Sequence, residues 1–289
     1  MIIFEGGTVS NMGNNCANSS SVLVPGPSQA TESLWLAIQP AIRYARGMLA
    51  LMVVWHLLSL KVDNAVLLPS PLMVASDWWS LLLSGKLLGH FLSSVWRAVV
   101  AFLLAGAVAI PLGLLMGLSR IAEDVCDPIV ELVRPISGIA WIPLALYIFG
   151  IGNALPIFII FYVAFFPFVL NTIAGVRSVD PILVRAAKVM GLRRFEIIRQ
   201  VILPSTLPSV LTGARLGASG AWMALIAAEF VGAPSGLGFA IQWYGGLLRT
   251  SDMLAMIATI ALLGYGTDVA LRGLHRRLTP WAAGLGVAQ

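Results

Sequence analysis

Long charge-free stretches separated by short polar breaks dominate this chain. Residues 135–176 carry no formal charge over 42 positions, and residues 98–119 carry none over 22. About 20 apolar residues cross a bilayer core as one helix, so the first stretch holds two spans and the second holds one. Along the whole chain the pattern predicts six transmembrane helices, over residues 42–60, 95–118, 129–149, 155–176, 207–231 and 252–274. The expected fold class is an all-α polytopic membrane protein. Residues 1–40 read as a mobile N-terminal tail, 41–281 as the transmembrane domain and 282–289 as a C-terminal tail. The start MIIFEGG lacks a basic region, so no secretory signal is expected.

Composition agrees with the pattern. A mean hydropathy of +0.90 with 11% charged residues lies outside the range of soluble domains. The net charge of +5 raises the question of nucleic acid, but its placement answers it. With the N-terminus inside, the inner loops carry Arg43, Arg46, Arg120, Arg177, Arg185, Lys188, Arg193, Arg194, Arg199, Arg272, Arg276 and Arg277, and the outer ones Lys61, Lys86, Arg97 and Arg249. Twelve against four sets the orientation, with both termini cytoplasmic, and leaves no excess for an anionic polymer. Outside lie residues 67–94, an amphipathic pattern with Trp78 and Trp79 as interface anchors, and the glycine-rich link 232–252, whose SGLG (235–238) reads as turn chemistry. Cys16 and Cys126 are too few and too distant for a disulfide framework, and His56, His90 and His275 form no metal set.

One segment breaks the apolar texture. RAAKVMGLRRFEIIRQVILP, residues 185–204, places six charges in its first fifteen residues, five of them basic. Asp180-Pro181 signals a helix start, Gly191 a C-cap, and Pro204 and Pro208 an end to the second helix and a beginning of the next span. Two short helices joined at a glycine should therefore lie on the inner membrane face. Physics alone admits two readings: an amphipathic pair held to anionic lipid by its net +4 charge, or a docking element for a soluble partner.

The spacing AA-x3-G-x9-[IV]-x-LP, carried by Ala186, Ala187, Gly191, Val201, Leu203 and Pro204, resembles the EAA loop of ABC importer permeases, with Arg185 where the family usually has Glu. SRIAEDVCDPIVELVRPISGIAWIPLALYIFGIG and LTGARLGASGAWMALIAAEFVGAPSGLGFAI look like the corresponding parts of taurine, aliphatic sulfonate and nitrate permeases, and the resemblance covers about residues 45–281. It implies a type I importer permease fold in a bacterial cytoplasmic membrane. It also implies two ATP-binding subunits, a second permease copy, most simply identical, and a periplasmic or extracellular substrate-binding protein. The coupling loop would be about 178–206, with Arg185, Arg193, Arg194 and Glu196 candidates for polar contacts to the ATPase. No G-x4-GK[ST] occurs in the chain, so this chain is expected to be no enzyme and to bind no cofactor itself, ATP and Mg residing on the partner subunit.

Candidates for the substrate pathway are Arg134, Trp141, Arg215, Trp222 and Glu229, with Phe239 as a further aromatic. Ionisable groups inside a bilayer need partners, and Arg134–Glu229 and Arg215–Asp268 are the pairs considered. Gly113, Gly117, Gly213, Gly217 and Ala221 have the spacing of close helix approach, either within the chain or at a pore between copies. The leading expectation is a permease for a small anion such as taurine, an alkanesulfonate or nitrate. Alternatives are the same machine for a pyrimidine precursor or aromatic acid, and an ion-coupled secondary transporter. A membrane enzyme is disfavoured, because no His/Asp/Glu cluster is present to run chemistry.

Overall fold

A computed structural model describes residues 46–281; the two tails expected at 1–40 and 282–289, and Cys16, lie outside the described residues. By contacts the chain divides into two units, Met1–Val54 and Trp55–Gln289. Helix α1 covers residues 46–62 and crosses that division. The remaining helices all belong to the second unit: α2 (Pro71–Leu83), α3 (Lys86–Leu118), α4 (Arg120–Val133), α5 (Ile142–Phe149), α6 (Ala154–Arg177), α7 (Pro181–Val189), α8 (Arg194–Ile197), α9 (Leu203–Gly232), α10 (Leu237–Gly246) and α11 (Thr250–Leu278). Among the described residues four helices are long and apolar enough to cross a membrane: α3, α6, the continuous run Arg194–Gly232 and α11. The pair Arg120–Val133 and Gly138–Phe149 makes a fifth if the two count as one broken span.

Small residues decide how these rods pack. Helix α6 lies between α3 and α9. A Cβ on Gly113 would stand 2.7 Å from the Thr172 Cβ, and one on Gly117 2.7 Å from the Val176 Cβ, both on α6. On the other side, a Cβ on Gly213 would meet the Pro167 carbonyl oxygen at 2.7 Å, and Gly217 faces Ala164. Of the two readings of these small residues, the structure assigns packing within the chain, which follows from helix association by close backbone approach. Ala105, Ala109, Met116, Ala164, Phe168, Val169 and Ala214 fill the core around them.

Three expectations are corrected. The third span, expected as one helix over 129–149, is broken and bent by 83° between α4 and Gly138–Phe149. Pro135 has no N–H to continue α4, and the Tyr162 hydroxyl donates to the Val133 and Ile136 carbonyls at 2.7 and 3.0 Å, taking up acceptors freed at the break. The second span begins at Lys86, not 95, so residues 86–94 belong to a helix and not to an outer surface segment. Finally, Pro204 and Pro208 do not separate the second short helix from the following span. A π turn at Ile198–Ile202 joins α8 to α9, with the Leu203 N–H donating to the Ile198 carbonyl. Pro204 follows that turn directly, and the helix continues past its missing N–H.

Candidate functional site

Local chemistry fixes the geometry of residues 181–202. The Asp180 carboxylate accepts from the Ile182 N–H at 2.7 Å and Pro181 opens α7, a capped start with φ already preset. At the other end the Gly191 N–H donates to the Lys188 carbonyl (3.0 Å) and the Leu192 N–H to the Ala187 carbonyl (3.1 Å). That bond pair is a Schellman motif, which requires a left-handed residue, and Gly191 has φ +84°. The Glu196 carboxylate accepts from the Arg193 N–H at 2.6 Å, closing the N-terminus of α8.

The segment has two faces. Ala187, Ile197 and Ile202 are buried against Val176 at the end of α6 and Leu114 and Leu118 at the end of α3. The other face exposes Ile182, Leu183, Val189, Met190 and Phe195, with Val189 at 89%. Arg185, Ala186, Arg193 and Arg194 are exposed beside them, Leu203 is exposed, and Pro204 is half-buried. Apolar side chains gathered in the open and rimmed by cations mark an interaction surface.

A second constellation lies toward the opposite ends of α3 and α9. Arg97 and Glu229, both fully buried, form an ion pair at 2.6 Å. Every guanidinium nitrogen donates: Nε to Asn153 Oδ1 (2.9 Å), Nη1 to Glu229 and to the Ser235 carbonyl (2.6 Å), and Nη2 to Ser235 Oγ (2.7 Å). Glu229 also accepts from the Ser94 hydroxyl at 2.8 Å and the Gly238 N–H at 3.0 Å, while Ser94 Oγ accepts from the Leu237 N–H at 2.8 Å. Two desolvated charges persist only when hydrogen bonds compensate them, and here all three guanidinium nitrogens and both carboxylate oxygens are bonded. The strap 233–238 is thereby clasped to α3 and α9. Gly236, at φ +113°, presses its backbone so close that a Cβ would fall on the Glu229 carboxylate. The SGLG stretch read as outer turn chemistry thus builds the lid over a buried ion pair.

This arrangement corrects the placement of Arg97, assigned from sequence to an outer loop, and the pairing Arg134–Glu229. Arg97 was missed because a charge at the edge of an apolar run reads as its boundary. The signal lay in Ser94, Arg97, Ala101 and Ala105, all buried at helical spacing. Arg134 is exposed at the α4 break and has no ion-pair partner among the described residues.

The other pathway candidates are dispersed. Trp141 stacks obliquely on Tyr162, ring centroids 5.9 Å apart, and its indole N–H is buried without a partner among the described residues. Arg215 does meet Asp268, Nε to Oδ1 at 2.6 Å, and Arg272 reaches the second Asp268 oxygen at 2.8 Å. Trp222 Nε1 donates to Thr267 Oγ1 at 3.2 Å, and Phe239 stacks between His90 and Trp243. Among the described residues no group of three His, Cys, Asp or Glu side chains stands ready for a metal.

Apolar rods packed through glycine, a broken span and a two-faced segment at one end define a membrane subunit built to meet something at its surface. Residues 109–280 match the family described as binding-protein-dependent transport system inner membrane component, and the chain belongs to that family, the permease components of ABC transporters. It is similar to the taurine transport system permease protein TauC of Escherichia coli, 38% identical over 232 residues that cover 78% of this chain and 84% of that one. The nitrate import permease protein NrtB of Synechococcus elongatus is 28% identical over 277 residues, 90% of this chain and 99% of NrtB. Among solved structures, an inward-facing MetNI methionine ABC transporter chain aligns with TM-score 0.59 at 21% identity, covering 67% of this chain and 97% of that one. At that identity the likeness concerns fold alone.

Proposed function

We propose that this chain is the membrane-spanning subunit of an ATP-driven importer in a bacterial cytoplasmic membrane, and that residues 181–202 seat in a separate ATPase subunit. The observation that carries the reading is the two-faced segment. Its inner face packs on the ends of α3 and α6, while its outer face offers uncovered apolar residues beside Arg185, Arg193 and Arg194. Glu196 then serves as the cap that holds α8 in shape. Because α8 runs through the π turn directly into α9, a displacement at the docking face would be delivered along a span.

The full machine would comprise two permease copies, two ATP-binding subunits carrying ATP and Mg, and a substrate-binding protein on the opposite side. Both termini would be cytoplasmic: with the buried Arg97 removed from the count, the flanking charges stand at twelve against three. The names of the relatives support a small anion, of the taurine, alkanesulfonate or nitrate type, as cargo. Arg215 and Arg272 share the single carboxylate of Asp268, a net positive site on α9 and α11 that suits an anion. We place Arg215, Trp222, Trp141 and Arg134 along the pathway and give Glu229 the separate task of holding the strap.

ATP hydrolysis by the reconstituted complex, measured with binding proteins loaded with taurine, an alkanesulfonate or nitrate, tests this. Stimulation by one loaded protein is expected. Stimulation by none, with hydrolysis intact, overturns the anion assignment. Failure of any ATPase subunit to bind the chain overturns the docking assignment.

A further inference from the structure

The inward side of the 181–202 segment does not close completely on the bundle. A cavity of about 500 Å³ remains between α7, the Gly191 turn, α8 and the end of α3. Its walls are Leu118, Val184, Leu192, Ile197, Ile198 and Ile202, with Lys188 and Arg194 as its two charged members. Neither cation has a carboxylate partner among the described residues. We propose that this cavity is a binding site for one anionic phospholipid, with an acyl chain against the aliphatic walls and the phosphate between Lys188 and Arg194.

Three features point to lipid. The walls are aliphatic throughout, without an aromatic, an acid or an amide that would read a shaped ligand. Leu118 is the last residue of α3, an apolar span, so the cavity lies at the depth where a bilayer's hydrocarbon gives way to its headgroups. The charge is complementary to a phosphodiester, and basic pockets at the edge of transmembrane bundles hold anionic headgroups by this means. Apart from Arg194, which borders both, the residues offered to the ATPase are different ones. Ile182, Val189, Met190 and Phe195 lie outside the lining, so a lipid there would be sandwiched between the segment and the bundle without obstructing the docking face. Such a lipid would wedge the segment against α3 and fill a void that otherwise weakens its seat. The inference goes beyond the proposed function and does not need the cargo to be known.

The test is native mass spectrometry of the full chain with its ATPase, released from nanodiscs holding equal phosphatidylglycerol and phosphatidylcholine. One phosphatidylglycerol per chain should be retained in preference to phosphatidylcholine. Lys188→Gln with Arg194→Gln should lower that retention roughly fivefold for each charge removed, the attraction one basic side chain has for an anionic membrane surface, and Lys188→Arg with Arg194→Lys should restore it. Leu118→Trp leaves both cations in place and pushes an indole into the space the acyl chain would occupy; it too should lower retention. Loss in the charge variant but not in Leu118→Trp would mean a headgroup attracted to the surface and would overturn the site. Displacement by inorganic phosphate at millimolar concentration would mean an anion site without a chain, with the same consequence. Equal retention of the two lipids, or retention only when the ATPase is stripped away, would show that the cavity belongs to no anionic lipid in the assembled complex.

Discussion

Replacing Gly191 by alanine isolates a single physical effect at the proposed docking face. No heavy atom lies within 4 Å of the Cβ that the substitution adds, so the new methyl group meets open space. What changes is the backbone: φ is +84°, and a Cβ in the left-handed region costs about 1–2 kcal/mol. That corresponds to a factor of about 5–30 in the ratio of closed to open turn. Since the two Schellman bonds set the angle between α7 and α8, an opened turn parts the apolar residues of α7 from Phe195 and the arginines of α8. The ATPase should therefore bind the Gly191→Ala permease more weakly, by at most about 30-fold, with insertion and bundle stability unchanged. Titration of labelled ATPase onto detergent-solubilised permease measures this. Asparagine tolerates left-handed backbone and valine resists it, so affinity should fall in the order Gly, Asn, Ala, Val. Equal affinity of the Gly and Val proteins would refute the reasoning, because it would mean that the turn is not what the ATPase reads.

Other consequences concern the bundle. Gly213→Ala drives a methyl group into the Pro167 carbonyl, 2.7 Å away on a neighbouring helix; it should lower thermal stability by about 1–3 kcal/mol while the surviving folded protein binds ATPase normally. Arg97→Met leaves Glu229 charged, buried and unpaired, and should cost about 3–5 kcal/mol, with faster proteolytic cleavage in the strap at 233–236. Arg97→Met combined with Glu229→Met should recover most of that loss in a thermal melt, the sign of a clasp whose two halves matter chiefly to each other. Glu196→Ala removes the acceptor for the Arg193 N–H and should destabilise α8 by about 0.5–2 kcal/mol, visible as faster amide exchange at residues 193–197.

The sequence alone determined the class of fold and the existence of the short-helix pair at 181–202, because both rest on short-range physics. A long apolar run in lipid must satisfy its backbone internally, which makes it helical. The start at Asp180-Pro181 and the turn at Gly191 are local hydrogen-bond and φ requirements, so a dozen residues suffice to specify them. Only the tertiary structure decided what the charges and glycines inside the spans are for. Arg97 and Glu229 stand 132 positions apart, and no periodicity announces that a guanidinium at the edge of one helix answers a carboxylate near the end of another. Gly113 and Gly213 look alike along the chain, yet their meaning lies in Thr172 and the Pro167 carbonyl of α6, which each approaches closely. Prolines mislead for the same reason. Pro135 ends α4 with Tyr162 serving the freed carbonyls, whereas Pro204 follows a π turn and lets the helix run on. The difference is that a π turn carries the backbone on past Pro204, whereas after Pro135 the chain bends by 83°.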